Sequence, residues 1–179
     1  LVVEHLNWLQ EDKNHSKFTN HGFDQSLIAL TIGLMFDRED FEPYRKLNRQ
    51  RLKDEVTFAF TDEGVHKENS PGYQKMMLGR LKQLRTLAPL GVHEISELGE
   101  RYIENAEAFL KAITLPDGYL PMIGDTQGGD KGLEDADALG KRLSVYDYSA
   151  SGYVIVKGCN SKLGDFYFLI KSSHDSNYH

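Results

Sequence analysis

The chain has 179 residues, 40% of them hydrophobic, a formal charge of -6 and one cysteine. That length suits one domain of ordinary size, or one domain plus a piece of another, and the apolar share is enough for a real core. The acidic balance argues against non-specific nucleic-acid binding, which needs a basic face. The lone Cys159 excludes an internal disulfide, and no apolar run of about 18 residues offers a membrane span.

The chain opens on Leu1 in mid-pattern and reads as a piece of a longer polypeptide, so the lack of a signal peptide carries no weight. Residues 2–10, with Leu6 and Leu9, predict a short helix, and 10–19 a polar loop. Residues 22–36 carry Phe23, Leu27, Leu30 and Leu34 at helical spacing with further apolar residues between them, which predicts a deeply buried helix. Asp37 to Asp40 breaks the pattern. Phe41-Glu42-Pro43 opens a charged helix over 41–60 (Arg45, Lys46, Arg49, Arg51, Lys53), expected on the outside, because proline fits a first turn. A loop with Gly64 follows over 61–69. Ser70-Pro71 then supplies a cap and a first-turn proline for a helix to about Leu87. Pro89 and Gly91 punctuate, and a long helix over 92–114 carries the stripe Ile95, Leu98, Tyr102, Ala106, Phe109, Ile113.

At Leu115 the character changes. Residues 116–125 are turn-rich, and 126–142 are rich in Gly and Asp and read as an exposed loop with one helical turn. From Val145 the period becomes two, with strands predicted around Tyr153 to Lys157 and over 165–171. Two or three strands do not make a stable sheet alone. This sheet must pack on the helices or be completed by further chain. The reading is therefore mainly α with a C-terminal β part, in three segments: 1–125, a connector over 126–144, and a β segment over 145–179.

Two polar islands stand out, each at or before a helix start: Asn20-His21-Gly22-Phe23-Asp24, and residues 62–73 from Asp62 to Tyr73. A helix start projects backbone N–H groups and favours negative charge. An Asn-His pair and a Tyr brought to one place would bind a carboxylate and move a proton. Plainer readings stand beside this one. Asn20 is also a favoured helix cap, Tyr73 a packing residue, His66 and Lys67 solvated side chains, and Asp117 and Asp125 turn formers. His174 and His179, five apart, form only a weak metal pattern.

The order and spacing of four pieces resemble the heparinase II/III-like polysaccharide lyases, which include certain alginate lyases. They are Asn20-His21-Gly22 opening an apolar helix, Asp62-Glu63-Gly64 leading to Glu68-Asn69-Ser70-Pro71-Gly72-Tyr73, Pro116-Asp117-Gly118 to Gly124-Asp125, and Ser151-Gly152-Tyr153 entering a strand. The resemblance implies an incomplete α/α-toroid of helical hairpins followed by the start of an antiparallel β-sandwich. It implies an enzyme that cleaves acidic, uronic-acid-containing polysaccharides by β-elimination, in the periplasm or outside the cell. It assigns catalysis to Tyr73 and His21, with a tail histidine, His179 in preference to His174, as a third group. It places Asn20 and His174 in substrate binding, to which His66 and Glu68 of the second island are added, with the plainer reading that Glu68 orders its own loop rather than touching substrate. No cofactor or metal is required within this chain, and a structural metal is left to residues further along the β domain.

The chemistry sets its own demands. The proton to be removed lies next to a carboxylate that is already negative, so the site must first neutralise that carboxylate. Asn20 offers an amide donor and His21 a donor or a charge. A phenol ordinarily titrates near pH 10, so Tyr73 would need cations or donors around it, drawn from His21, His66, Lys67 or the tail histidine. Tyr73 serves as base and then acid if proton and leaving group share a face of the sugar; otherwise His21 is the better base. All of this requires Tyr73 to reach the same uronic-acid group as Asn20 and His21. Two other functions compete: a glycoside hydrolase, which would need facing carboxyls such as Asp24 and Glu68, and a non-catalytic glycan-binding domain with Trp8 and the tyrosines as stacking platforms.

Overall fold

The computed structural model describes residues 1–36, 38–133, 143–160, 162 and 164–172. The expected helices and strands are present: α1 (Val2–Gln10), α2 (Asn20–Met35), α3 (Glu42–Ala59), α4 (Pro71–Gln83) and α5 (His93–Ile113), then β1 (Ser144–Tyr148), β2 (Tyr153–Asn160) and β3 (Gly164–Lys171). The protein is mainly α with a C-terminal β part. Among the described residues, no helix is long and apolar enough to cross a membrane. Two compact units divide the chain. The first comprises Leu1–Ala59 and Leu81–Arg101, the second Phe60–Arg80 and Tyr102–His179.

The first unit is helical. Leu6, Ala29, Phe41 and Tyr44 form a buried cluster, with Leu9 and Ile32 packed against it. Helix α2 buries Phe23, Ala29 and Leu30 but leaves Ile28 and Met35 exposed, so it is less enclosed than its apolar content predicts. Helix α3 keeps the expected solvated positions, such as Lys46, Gln50 and Asp54, but does not leave all its charged residues outside. Its Arg51 and Glu55 are buried. Arg51 donates to the carbonyls of Leu9 (2.6 Å) and Gln10 (2.9 Å) at the C-terminal end of α1, and to Asp12 Oδ1 (2.8 Å). Those carbonyls have no partner within their own helix, and a guanidinium suits the negative end of the helix dipole. Residues 84–90 tighten into a 3-10 helix instead of continuing α4, and Gly91 ends it in the left-handed region at φ 81°.

In the second unit the sheet packs on α5. Its order is β1-β2-β3, all antiparallel. Tyr153, Ile155 and Lys157 of β2 alternate onto the buried face. The Phe109 ring meets Tyr148 and Tyr153 edge-on at 5.0 and 5.2 Å. Lys157 Nζ donates to the carbonyls of Lys111 (3.1 Å) and Thr114 (2.7 Å), and Tyr167 OH to that of Ile113 (2.9 Å). The last carbonyls of α5 are thus closed by side chains from the sheet. The opposite face stays apolar and exposed at Val145, Phe166, Phe168 and Ile170. The predicted helical turn within 126–142 falls largely on 134–142, outside the described residues.

Candidate active site

In the first unit, the loop before α2 sets the direction of the Asn20-His21 turn. Thr19 is the N-cap, its hydroxyl accepting from Gly22 N at 3.1 Å. Asn20 is therefore not the cap, and the plainest reading of that residue is overturned. Asn20 is half-buried and His21 exposed. Behind them, Phe18 N donates to Glu55 Oε1 (2.9 Å), with Phe18 held in the left-handed region at φ 63° and stacked on Phe58 at 4.1 Å. An aromatic residue rarely adopts that backbone conformation, so surrounding contacts must hold it. His15 Nε2 lies 3.2 Å from Ser26 Oγ, 3.4 Å from the Gly22 carbonyl and 3.5 Å from Glu55 Oε1. Burial pushes the Glu55 carboxyl up to about 7, against the opposing pull of the Phe18 N–H and Lys17, and burial together with Arg51 pushes His15 down. Gly22 is needed for close approach, since a β-carbon there would meet the Ser16 carbonyl at 2.2 Å.

In the second unit, the loop 61–70 is folded around Gln74. The Gln74 side chain accepts from His66 N (2.6 Å) and donates to the carbonyls of Gly64 (2.8 Å) and Ala106 (3.3 Å). Gly64 sits at φ 75°, and a β-carbon on it would lie 2.4 Å from Ala106 N. Only glycine allows this approach to α5. The carbonyl of Asn69, a residue at φ 56°, accepts from Tyr153 OH at 3.2 Å. The start of α4 differs from expectation in one respect. Pro71 opens the helix, but the hydroxyl that accepts from Gly72 N (3.0 Å) belongs to Thr126, which also bonds Ser70 Oγ (3.0 Å).

Tyr73, half-buried on the first turn of α4, lines an open cleft of about 800 Å³ with Lys75, Met76, Arg80 and Leu120. Asp125 and Asp130 share that wall. Asp117 acts as the turn former expected of it, its carboxylate accepting from Tyr119 N at 3.1 Å. His66 lines a second, smaller cavity of about 180 Å³. It is buried, and burial drives its imidazole down to about 4. Glu68 is buried in the same loop. Asn20 and His21 thus belong to one unit, and Tyr73, His66 and Glu68 to the other. His174 and His179 lie outside the described residues. Among the described residues, no group of three or more His, Cys, Asp or Glu is arranged to hold a metal ion.

Sequence reasoning did not single out His15, Glu55 or Gln74. Glu55 and Gln74 carry a weak signal. Each is a polar residue beside apolar ones on a helix, Glu55 next to Val56 and Gln74 three before Met77. A polar residue on a buried stripe needs partners, which here are loop backbone groups.

A helical region is followed by an antiparallel sheet, and an open cleft lies beside a first-turn phenol. The heparinase II/III N-terminus family matches residues 2–147, and the chain belongs to that family, one of polysaccharide lyases. No curated protein and no solved structure matches it.

Proposed function

We propose that the protein cleaves uronic-acid-containing polysaccharides by β-elimination. Tyr73 moves the proton, and Asn20 and His21 neutralise the uronate carboxylate. His21 is the base if proton and leaving group lie on opposite faces. His66 and Glu68 contact substrate from the loop before α4, and a tail histidine, His179 or His174, completes the catalytic set. The observation that carries this reading is Tyr73 on the wall of the 800 Å³ cleft in a chain of this family. Lys75 and Arg80 with Asp125 and Asp130 on the same wall give the cleft both donors and acceptors for a glycan. The finer architecture is an α/α-toroid followed by a β-sandwich, supported by the exposed apolar outer face of the sheet. The setting is periplasmic or extracellular, where such glycans occur.

The test is the ultraviolet absorbance of the unsaturated product, followed on a panel of uronate polymers. Turnover that vanishes in Tyr73→Phe is the expected result. Absence of product across the panel, or full activity in Tyr73→Phe, overturns the proposal.

A further inference from the structure

One carboxyl brackets the Asn20-His21 pair. On the N-terminal side, Phe18 N donates to Glu55 Oε1 at 2.9 Å. On the C-terminal side, a β-carbon at Gly22 would lie 2.8 Å from that same oxygen. The glycine lets the start of α2 sit against Glu55, so the two residues between are set from both ends. His15 Nε2, 3.5 Å from Glu55 Oε1, lies 3.4 Å from the Gly22 carbonyl and 3.2 Å from Ser26 Oγ. Asn20 is half-buried and His21 exposed, which leaves both side chains open to a ligand.

Phe18 carries the strain of this arrangement. Its φ of 63° lies in the left-handed region, which a residue with a β-carbon rarely enters. Helix α3 grips it twice. Glu55 holds the N–H, and Phe58, one turn further on, stacks its ring on that of Phe18 at 4.1 Å. Gln25 ties only the earlier part of the loop, accepting from Ser16 N (2.9 Å) and donating to the Asn14 carbonyl (3.2 Å). Backbone strain persists only where surrounding contacts impose it, and here it lies two residues before Asn20. The choice of anchor also needs a reason. An uncharged amide is enough to pair a buried backbone N–H, as Gln74 does for His66 N. Glu55 is 2% exposed, and burial there lifts its carboxyl to about 7.

We propose that Glu55 is a positioning residue for the elimination: through Phe18 N and against Gly22, its carboxyl fixes the direction in which Asn20 and His21 meet the uronate carboxylate. The role rests on the lyase reading above. Glu55 touches no substrate and acts through the backbone on either side of the pair. The ionisable groups that face it are His15 and Lys17 of the loop and Arg51 and Asp54 of its own helix, while α2 presents Gly22. The folded chain favours the protonated carboxyl. Ionisation sets a charge that burial disfavours against the turn, so the aim of the pair is lost as pH rises through 7.

The experiment measures kcat and KM of the full chain against pH, on whichever uronate polymer of the panel gives product. Glu55→Ala should lower kcat about 10²-fold, the cost of a misplacement on the order of 1 Å. KM should rise less, because the pair is to hold the carboxylate most tightly in the transition state. Glu55→Gln keeps an oxygen for Phe18 N and should recover most of that loss. It should also abolish the fall in kcat that the unsubstituted chain shows above pH 7. The Gln variant has the same shape, which keeps the test valid if Glu55→Ala fails to fold. An alkaline limb unchanged in Glu55→Gln would overturn the proposal and leave the lyase standing. So would an unchanged kcat in Glu55→Ala while Tyr73→Phe abolishes turnover. If no polymer gives product, the NMR signals of the Asn20 side-chain amide and the His21 ring give a separate answer. Their movement in Glu55→Ala would keep Glu55 as the residue that aims the pair and discard the lyase, and their staying in place would discard both.

Discussion

The turns that carry the candidate catalytic groups are held in two different ways. Ahead of α2, the backbone hangs on a buried ionisable pair, Glu55 and His15. Ahead of α4, it hangs on the uncharged amide of Gln74 and on the contact that Gly64 permits with α5. Both solve one problem, since a loop that positions side chains exposes backbone N–H groups that need partners. The carboxylate anchor makes its loop sensitive to pH. The amide anchor does not, and the second loop carries instead the buried His66, whose imidazole burial drives down.

The largest test of this pairing is catalytic. Tyr73→Phe and His21→Ala should each lower kcat on a uronate polymer by about 10²–10⁴-fold, the range for a positioned acid or base. If the two groups serve one reaction, the double variant should fall little further than the worse single one, because groups acting as a unit are not additive. Losses that multiply in steady-state kinetics would break the single-reaction reading.

Next in size is the amide anchor. Gln74→Leu strands His66 N and the Gly64 carbonyl, at roughly 1–3 kcal/mol for each buried unpaired group. A loss of about 3 kcal/mol in urea unfolding is expected. A loss under about 1 kcal/mol would mean that the loop holds without Gln74.

The pH responses should run in opposite directions. His66 is depressed from its ordinary 6.5 to about 4 by burial, so the unfolded chain takes up the proton first. The stability it contributes is complete above pH 6.5 and is lost as pH falls through 4, on the order of 3 kcal/mol in all. Glu55 is raised from 4.5 to about 7, again by burial, with Lys17, Asp54 and Arg51 as its charged neighbours and His15 beside it. Here the folded chain holds the proton more tightly. Its contribution is complete below pH 4.5 and is lost as pH rises through 7. Amide hydrogen exchange of residues 15–24 and 61–73, measured from pH 4 to 8, should show the first loop loosening toward alkaline pH through Glu55, with a smaller acid limb from the depressed His15, and the second loosening toward acid. Glu55→Gln should flatten only the first trend. The same slope in both loops would erase the distinction drawn here.

The smallest effects concern the helix caps. Thr19→Ala removes a cap three residues from its target, and Thr126→Ala one that lies 54 residues from its target. Each should cost about 1 kcal/mol in thermal or urea unfolding. A clearly larger loss for Thr126 would show that the connector also depends on the Ser70 contact.

Much of the fold was legible in the chain. Periods of 3.6 and 2 placed five helices and the strands, because local side-chain spacing follows backbone geometry. Pro71 and Gly91 marked ends correctly for the same local reason. The order of the two polar islands, the connector and the strand start was together enough for the family, which the match over residues 2–147 shows. Partners distant in sequence were not legible. Nothing near Arg51 announces that it closes the end of α1, 41 and 42 residues earlier. Nothing near Thr126 announces that it caps α4.

The sequence by itself determined which segments are helix and strand, and which residues carry proton-moving and hydrogen-bonding chemistry, since both follow from residue type and spacing. Tertiary structure alone decided which polar groups are buried and which of them find partners. It left the Nδ1 of His66 bare, drew Gly64 onto α5 and lifted Glu55 toward neutrality. Burial is a property of everything packed around a side chain, so no local pattern encodes it, and the titration and ligand capacity of these groups follow from it.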